Sequence, residues 1–189
     1  DARVIAVVGS YLGAVNARTG ARYPGFGHGG EVDLTQGYDD RTVETFGGIQ
    51  ILVNNAQEVP LGPLNGVTDE SFEAGWQSGP LATFRLMKLC YPHLKGDGCI
   101  INLATSAARR WDAANYGAYS AVKEATRALT RAAASEWGGH GIRTNVILPH
   151  AKSPGLEWWM RENPEEAAAF VATIPMGRVG ECEKDIGEF

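Results

Sequence analysis

Four short runs rich in β-branched residues punctuate the chain, at 4–8 (VIAVV), 49–53 (IQILV), 99–103 (CIINL) and 144–148 (TNVIL). Their near-continuous apolar character predicts buried parallel strands. Two longer stretches, 69–94 and 116–137, repeat apolar positions at helical spacing. Strands alternating with helices imply right-handed crossovers, so the predicted fold is doubly wound α/β with a parallel sheet. Asp69, followed by Phe72 and Glu73, suits a helix start, and Gly138-Gly139 is placed to close the second helix at a positive φ. Gly79-Pro80 falls inside the first helical stretch and predicts a kink, because proline brings no N–H to the ladder. The stretch 9–30 holds seven glycines and one proline without a period, and is predicted to be irregular with room for one short helix.

Composition narrows the class without changing the fold. A chain of 189 residues, 44% apolar and 21% charged, reads as one domain over 1–189 that is large enough to bury a core. A net charge of −5 with scattered basic residues gives no attraction to phosphate backbones, so nucleic acid is not an expected partner. No apolar run reaches the ~18 residues of a membrane span, and the start lacks the layout of a signal peptide; the expected location is the cytoplasm. Cys90, Cys99 and Cys182 are odd in number and far apart, which predicts reduced, mostly buried thiols. His28, His93, His140 and His150 lie in unrelated segments without ligand spacing, so no metal is expected.

The chemistry concentrates in the second helix. Positions i and i+4 share a helix face, so Tyr119 and Lys123 in YSAVK present a phenol beside an ammonium. Bringing a phenol from its usual pKa to neutrality takes roughly 4 kcal/mol. One unit charge about 4 Å away, at an effective dielectric of about 20, supplies an energy of that order. Thirteen residues before Tyr119, Ser106 follows the run 99–103, where open α/β sheets collect functional side chains. Its hydroxyl is placed to hold a substrate oxygen. Thr105 competes for that role, and either residue of the pair is also suited to capping the next turn.

These residues resemble those of the short-chain dehydrogenases and reductases, and the resemblance covers most of the chain. It rests on Asn54-Asn55-Ala56 at a strand end, Ser106 thirteen positions before Tyr119-x-x-x-Lys123, the segment 143–149 (RTNVILP) and the tail 175–180 (PMGRVG). The resemblance implies a Rossmann-like sheet, an NAD or NADP cofactor, and hydride transfer between the nicotinamide and a small-molecule carbonyl or alcohol. It implies Tyr119 as general acid or base, Lys123 as the group that lowers its pKa and holds the nicotinamide ribose, and Ser106 as the orienter of substrate oxygen. Asp33 would hold the adenine, while Asn54, Ala56 and Pro149 would line the cofactor. Asn54-Asn55 also has a structural reading, as amides tying neighbouring strands. Residues 151–176, with Trp158, Trp159 and Met160, fall where the resemblance implies a substrate lid, and a Trp-Trp-Met run also suits core packing or a dimer contact.

Three departures qualify the likeness. Counting back from Asp33 places 2–8 at the family's second strand, which leaves the first βα unit and its glycine-rich phosphate turn without a counterpart. The chain reaches Phe189 within what resembles the start of the last helix, before the family's final strand, so the domain reads as incomplete at both ends. Gly79 stands where the family carries a helix-distorting asparagine, with Ser78 beside it. Two rival functions follow: a cofactor-independent enzyme of the elimination type, against which Lys123 argues, and a non-catalytic subunit. Small residues at 118, 121, 125, 128, 132 and 135 on the second helix suit close packing against a partner helix, so a homo-oligomer, a dimer or tetramer, is expected.

Overall fold

The structure, a computed structural model, describes residues 3–8, 11–16, 19, 21–22, 31–33, 48–109 and 115–187. They fall into two compact units, 1–147 and 148–189.

The first unit is built on a six-stranded sheet of β1 (Arg3–Val8), β2 (Tyr11–Asn16), β3 (Glu31–Asp33), β4 (Ile51–Asn54), β5 (Gly98–Leu103) and β6 (Ile142–Ile147), in the order β3-β2-β1-β4-β5-β6. That order is the 3-2-1-4-5-6 of doubly wound sheets. The strands β1, β4, β5 and β6 run parallel, as their apolar runs predict, with Asn54 opposite Asn102. Two expectations are corrected on the other side. The stretch 9–30 contains a strand, β2, which pairs antiparallel to both β1 and β3. β1 lies directly beside β4, in the first place of the sheet and not the second place counted from Asp33.

The 69–94 pattern forms α1 (Asp69–Trp76), a π-helical turn (Gln77–Leu81) and α2 (Ala82–Leu94). The expected distortion at Gly79-Pro80 is this turn, in which the Ala82 N–H reaches back five residues to the Gln77 carbonyl. The cap of α1 is Thr68, whose hydroxyl accepts from the Ser71 N–H at 3.2 Å, with Asp69 in the first turn. Helix α3 (Gly117–Trp137) covers the 116–137 pattern. Its end differs from expectation: Gly138 stays helical, and the positive φ falls on Gly141, at 74°, after a short 3-10 turn. A side chain there would also meet the Gly96 carbonyl oxygen at 2.6 Å.

Both α2 and α3 cover the same face of the sheet. Leu52 and Ile100 are fully buried there against Leu86, Met87, Cys90, Leu94, Ala133 and Ile142. Each large apolar side chain removed from water in this way stabilises by about 2 kcal/mol. The alternate positions Ile51, Val53, Cys99, Ile101 and Leu103 are half-buried among the described residues. Of the three cysteines expected to be mostly buried, Cys90 is buried, Cys99 is half-buried and Cys182 is exposed. Burial pushes the Cys90 thiol up to about 12.

The second unit holds α4 (Pro154–Glu162) and α5 (Pro164–Ala172), within the predicted lid 151–176. Ser153 caps α4 by accepting from the Leu156 N–H at 3.2 Å. The rings of Trp159 and Phe170 join the two helices edge to face. Arg178 holds Asp185 in a two-pronged ion pair at 2.7 and 3.1 Å, which ties the tail to a terminal π-helical turn (Cys182–Gly187).

Candidate active site

Helix α3 presents its inward face through Ala118, Val122, Lys123, Thr126, Thr130 and Ala133. Lys123 is therefore a core position by geometry, 5% exposed, and its Nζ donates to the Leu103 carbonyl at the end of β5, 2.8 Å away. Burial brings the ammonium down to about 8, so it still carries its charge at neutral pH. One of its three donors is spent on Leu103 and two remain.

Tyr119 lies one turn earlier, half-buried, with its ring centre 5.9 Å from Lys123 Nζ and 6.4 Å from the ring of Tyr116. Burial pushes the phenol above its ordinary value. A hydrogen bond with Thr105 works the other way, and Tyr116 adds a smaller upward push. The Lys123 ammonium is turned to the Leu103 carbonyl. The phenol is thus held protonated.

Of the two hydroxyls after β5, the structure brings Thr105 to Tyr119. Thr105 also accepts from the Ala107 N–H at 3.2 Å and so caps the 3-10 turn Ser106–Arg109, which the half-buried Ser106 opens. Asn54 donates through Nδ2 to Asn102 Oδ1 at 2.7 Å, the strand tie that its sequence position suggested. Asn102 passes the connection on, donating to Thr130 Oγ1 at 2.9 Å and to Met87 Sδ at 3.4 Å, and Thr130 donates to the Thr126 carbonyl at 2.7 Å. A polar chain therefore crosses the core from β4 to the helix of Tyr119 and Lys123. Sequence reasoning missed Asn102 and Thr130. The signals were an asparagine inside an apolar strand run, and threonines four apart on the lysine's side of the helix.

Ala56 packs against the core, and Asn55 is exposed. Asp33 is in β3 opposite Tyr11, with its side chain outside the described structure. Pro149 belongs to the second unit and is half-buried. At Gly79 a Cβ would lie 2.5–2.8 Å from the Gln57 carboxamide, which fills the space of a side chain there.

The residues present fit a nicotinamide cofactor at one end. Lys123 keeps two donors, Tyr119 keeps its phenol, and the Asn54 Oδ1 is buried with no hydrogen-bond partner, an acceptor that invites a donor from a ligand. They do not fit the pyrophosphate in the usual way. Two residues separate β1 from antiparallel β2, so β1 leads into a strand and not into a helix N-terminus. Among the described residues no group of three metal-ligating side chains occurs, and no helix is long and apolar enough to cross a membrane.

Comparison with known proteins gives a consistent result. The family model described as enoyl-(acyl carrier protein) reductase matches residues 35–189. A 12α-hydroxysteroid dehydrogenase from Clostridium is 41% identical over 149 residues, 78% of this chain and 57% of the relative. A galactitol 2-dehydrogenase from Agrobacterium fabrum is 36% identical over 71% of this chain and 57% of its own length. Among solved structures, a short-chain dehydrogenase from Burkholderia cenocepacia in complex with NADP superposes with a TM-score of 0.68 at 26% identity, covering 79% of this chain and 59% of that one. The chain spans a little more than half the length of these relatives. Its sheet order, its Tyr119–Lys123 helix and these matches together make the chain a member of the short-chain dehydrogenase/reductase family.

Proposed function

We propose that the protein is an NAD(P)-dependent oxidoreductase that interconverts a secondary alcohol and a ketone, with Tyr119 as the proton-transfer group. The observation that carries this reading is the buried Lys123 ammonium, fixed on the Leu103 carbonyl one helical turn from a phenol that touches Thr105. A phenol held protonated is a donor, suited to give its proton to the oxygen of a ketone as that oxygen gains negative charge. Lys123 stabilises the phenolate left behind, and its two remaining donors are available to ribose hydroxyls. Ser106 holds the substrate oxygen and Thr105 orients the phenol. Asn54, through its unpartnered oxygen, and Ala56 take the nicotinamide side, and Asp33 the adenine. When bound, the nicotinamide supplies or accepts the hydride. Reduced thiols and an acidic surface fit a cytoplasmic setting.

The test follows NAD(P)H absorbance with a 12α-hydroxysteroid and with galactitol, the alcohols that the relatives' names point to. Turnover with one of them is expected, and Tyr119→Phe should lower it by about 10²–10⁴ with the fold intact. A phenylalanine variant as active as the parent would sink the mechanism. The antiparallel β1–β2 hairpin favours a second reading, a cofactor-independent or non-catalytic member. Quenching of tryptophan fluorescence by NADH or NADPH separates the two, since the second reading requires no saturable binding of either.

A further inference from the structure

The π-helical turn between α1 and α2 carries Gly79 and Pro80, both buried. The Gln57 Nε2, from the segment after β4, donates to the Gly75 carbonyl at 3.4 Å. The Gln57 carboxamide lies where a side chain on Gly79 would stand, so a glycine at that position is what lets it reach. The neighbouring bonds support the same contact: the Glu58 N–H donates to Ser78 Oγ at 2.9 Å, and Ser78 Oγ donates to the Ala74 carbonyl at 2.6 Å. This turn packs directly against α3, the helix of Tyr119 and Lys123.

We propose that Gln57 is a positioning residue, whose carboxamide, seated against Gly79 and bonded to the Gly75 carbonyl, locks the π-turn onto the segment after β4 and thereby fixes α3; its effect on turnover rests on the oxidoreductase reading above. Gln57 touches no reacting group. Its influence passes through the turn, so it depends on the space left at position 79.

The experiment is a double-mutant cycle on the full chain. Gln57→Met keeps the length and removes the donor; it should lower Tm by about 3 °C and turnover by about tenfold. Gly79→Ala fills the space of the carboxamide: its methyl displaces the carboxamide and should reproduce the Gln57→Met losses with Gln57 still present, and in that background Gln57→Met should cost little more in either measure. Equal costs of Gln57→Met with glycine and with alanine at 79, or a Gly79→Ala chain indistinguishable from the parent, would overturn the proposal. A parent inactive on both alcohols would count against the oxidoreductase reading alone, because the Tm cycle decides the Gln57 contact without any turnover.

Discussion

An ammonium that is 5% exposed and meets one carbonyl is held at a cost to the fold. Its pKa falls from 10.5 in the unfolded chain to about 8. Between those values the unfolded chain binds the extra proton and the folded one does not, so stability rises with pH across this window. Contributions present above pH 10.5 are lost as the pH falls through about 8, amounting to roughly 3 kcal/mol. Tm measured from pH 8 to 10 should therefore climb more steeply, or fall less, in the parent than in Lys123→Met; parallel curves would mean that the amine is not buried. The catalytic variants separate the two hydroxyls. Ser106→Ala should cost turnover through the substrate oxygen, whereas Thr105→Ala should also move the pH–rate profile by removing the bond that pulls the Tyr119 pKa down. The shared helix of Tyr119 and Lys123, one turn apart, was legible because an i,i+4 spacing is fixed by helix geometry alone. The side to which the lysine head turns was not, because that depends on a carbonyl twenty residues away in sequence.

At the level of elements, the chain Asn54–Asn102–Thr130 does what an apolar contact does not: it ties β4, β5 and α3 in one register. Asn102 is wholly buried and central to it. Asn102→Ala leaves the Asn54 Nδ2 and the Thr130 hydroxyl without their partner and opens a small cavity. A loss of about 3 kcal/mol is expected in urea unfolding. A loss below about 1 kcal/mol would show that water or rearrangement replaces the bonds. The parallel strands and both long helices could be read from the sequence because burial of a face imposes a period on it. The β1–β2 hairpin was missed although Gly9-Ser10 is a two-residue pair of the hairpin kind, because YLGAVN has no long apolar run, the glycines that follow suggested irregular structure, and the pairing is a contact between segments. Gly141, and not Gly138, takes the positive φ because the chain must turn past the Gly96 carbonyl, a constraint set by the neighbouring turn.

The first unit, taken whole, leaves apolar surface on α1 and α2, beside the helix that bears the site. Phe72 and Trp76 on α1, and Phe84 and Leu89 on α2, are each about 40% exposed. On α3 the small residues divide: Ala118 is buried, whereas Ala121, Ala128, Ala132 and Ser135 point away from the sheet, which Val122, Thr126, Thr130 and Ala133 cover instead. The small-residue face is thus not needed for packing within the unit. Small side chains let two helices approach to about 8 Å, and a twofold contact would set α3 against its own copy or against α1 and α2 of a second chain. Such a contact would cover the exposed aromatic rings and stiffen the helix that carries Tyr119 and Lys123. We therefore expect a dimer or tetramer by light scattering at micromolar concentration. Ala128→Arg and Ala132→Arg, placed on exposed positions where a single chain tolerates them, should shift the mass toward the monomer and lower turnover with it. A parent that is monomeric and fully active would remove the link between assembly and catalysis, and an arginine variant that keeps the parent's mass would move the interface to another face.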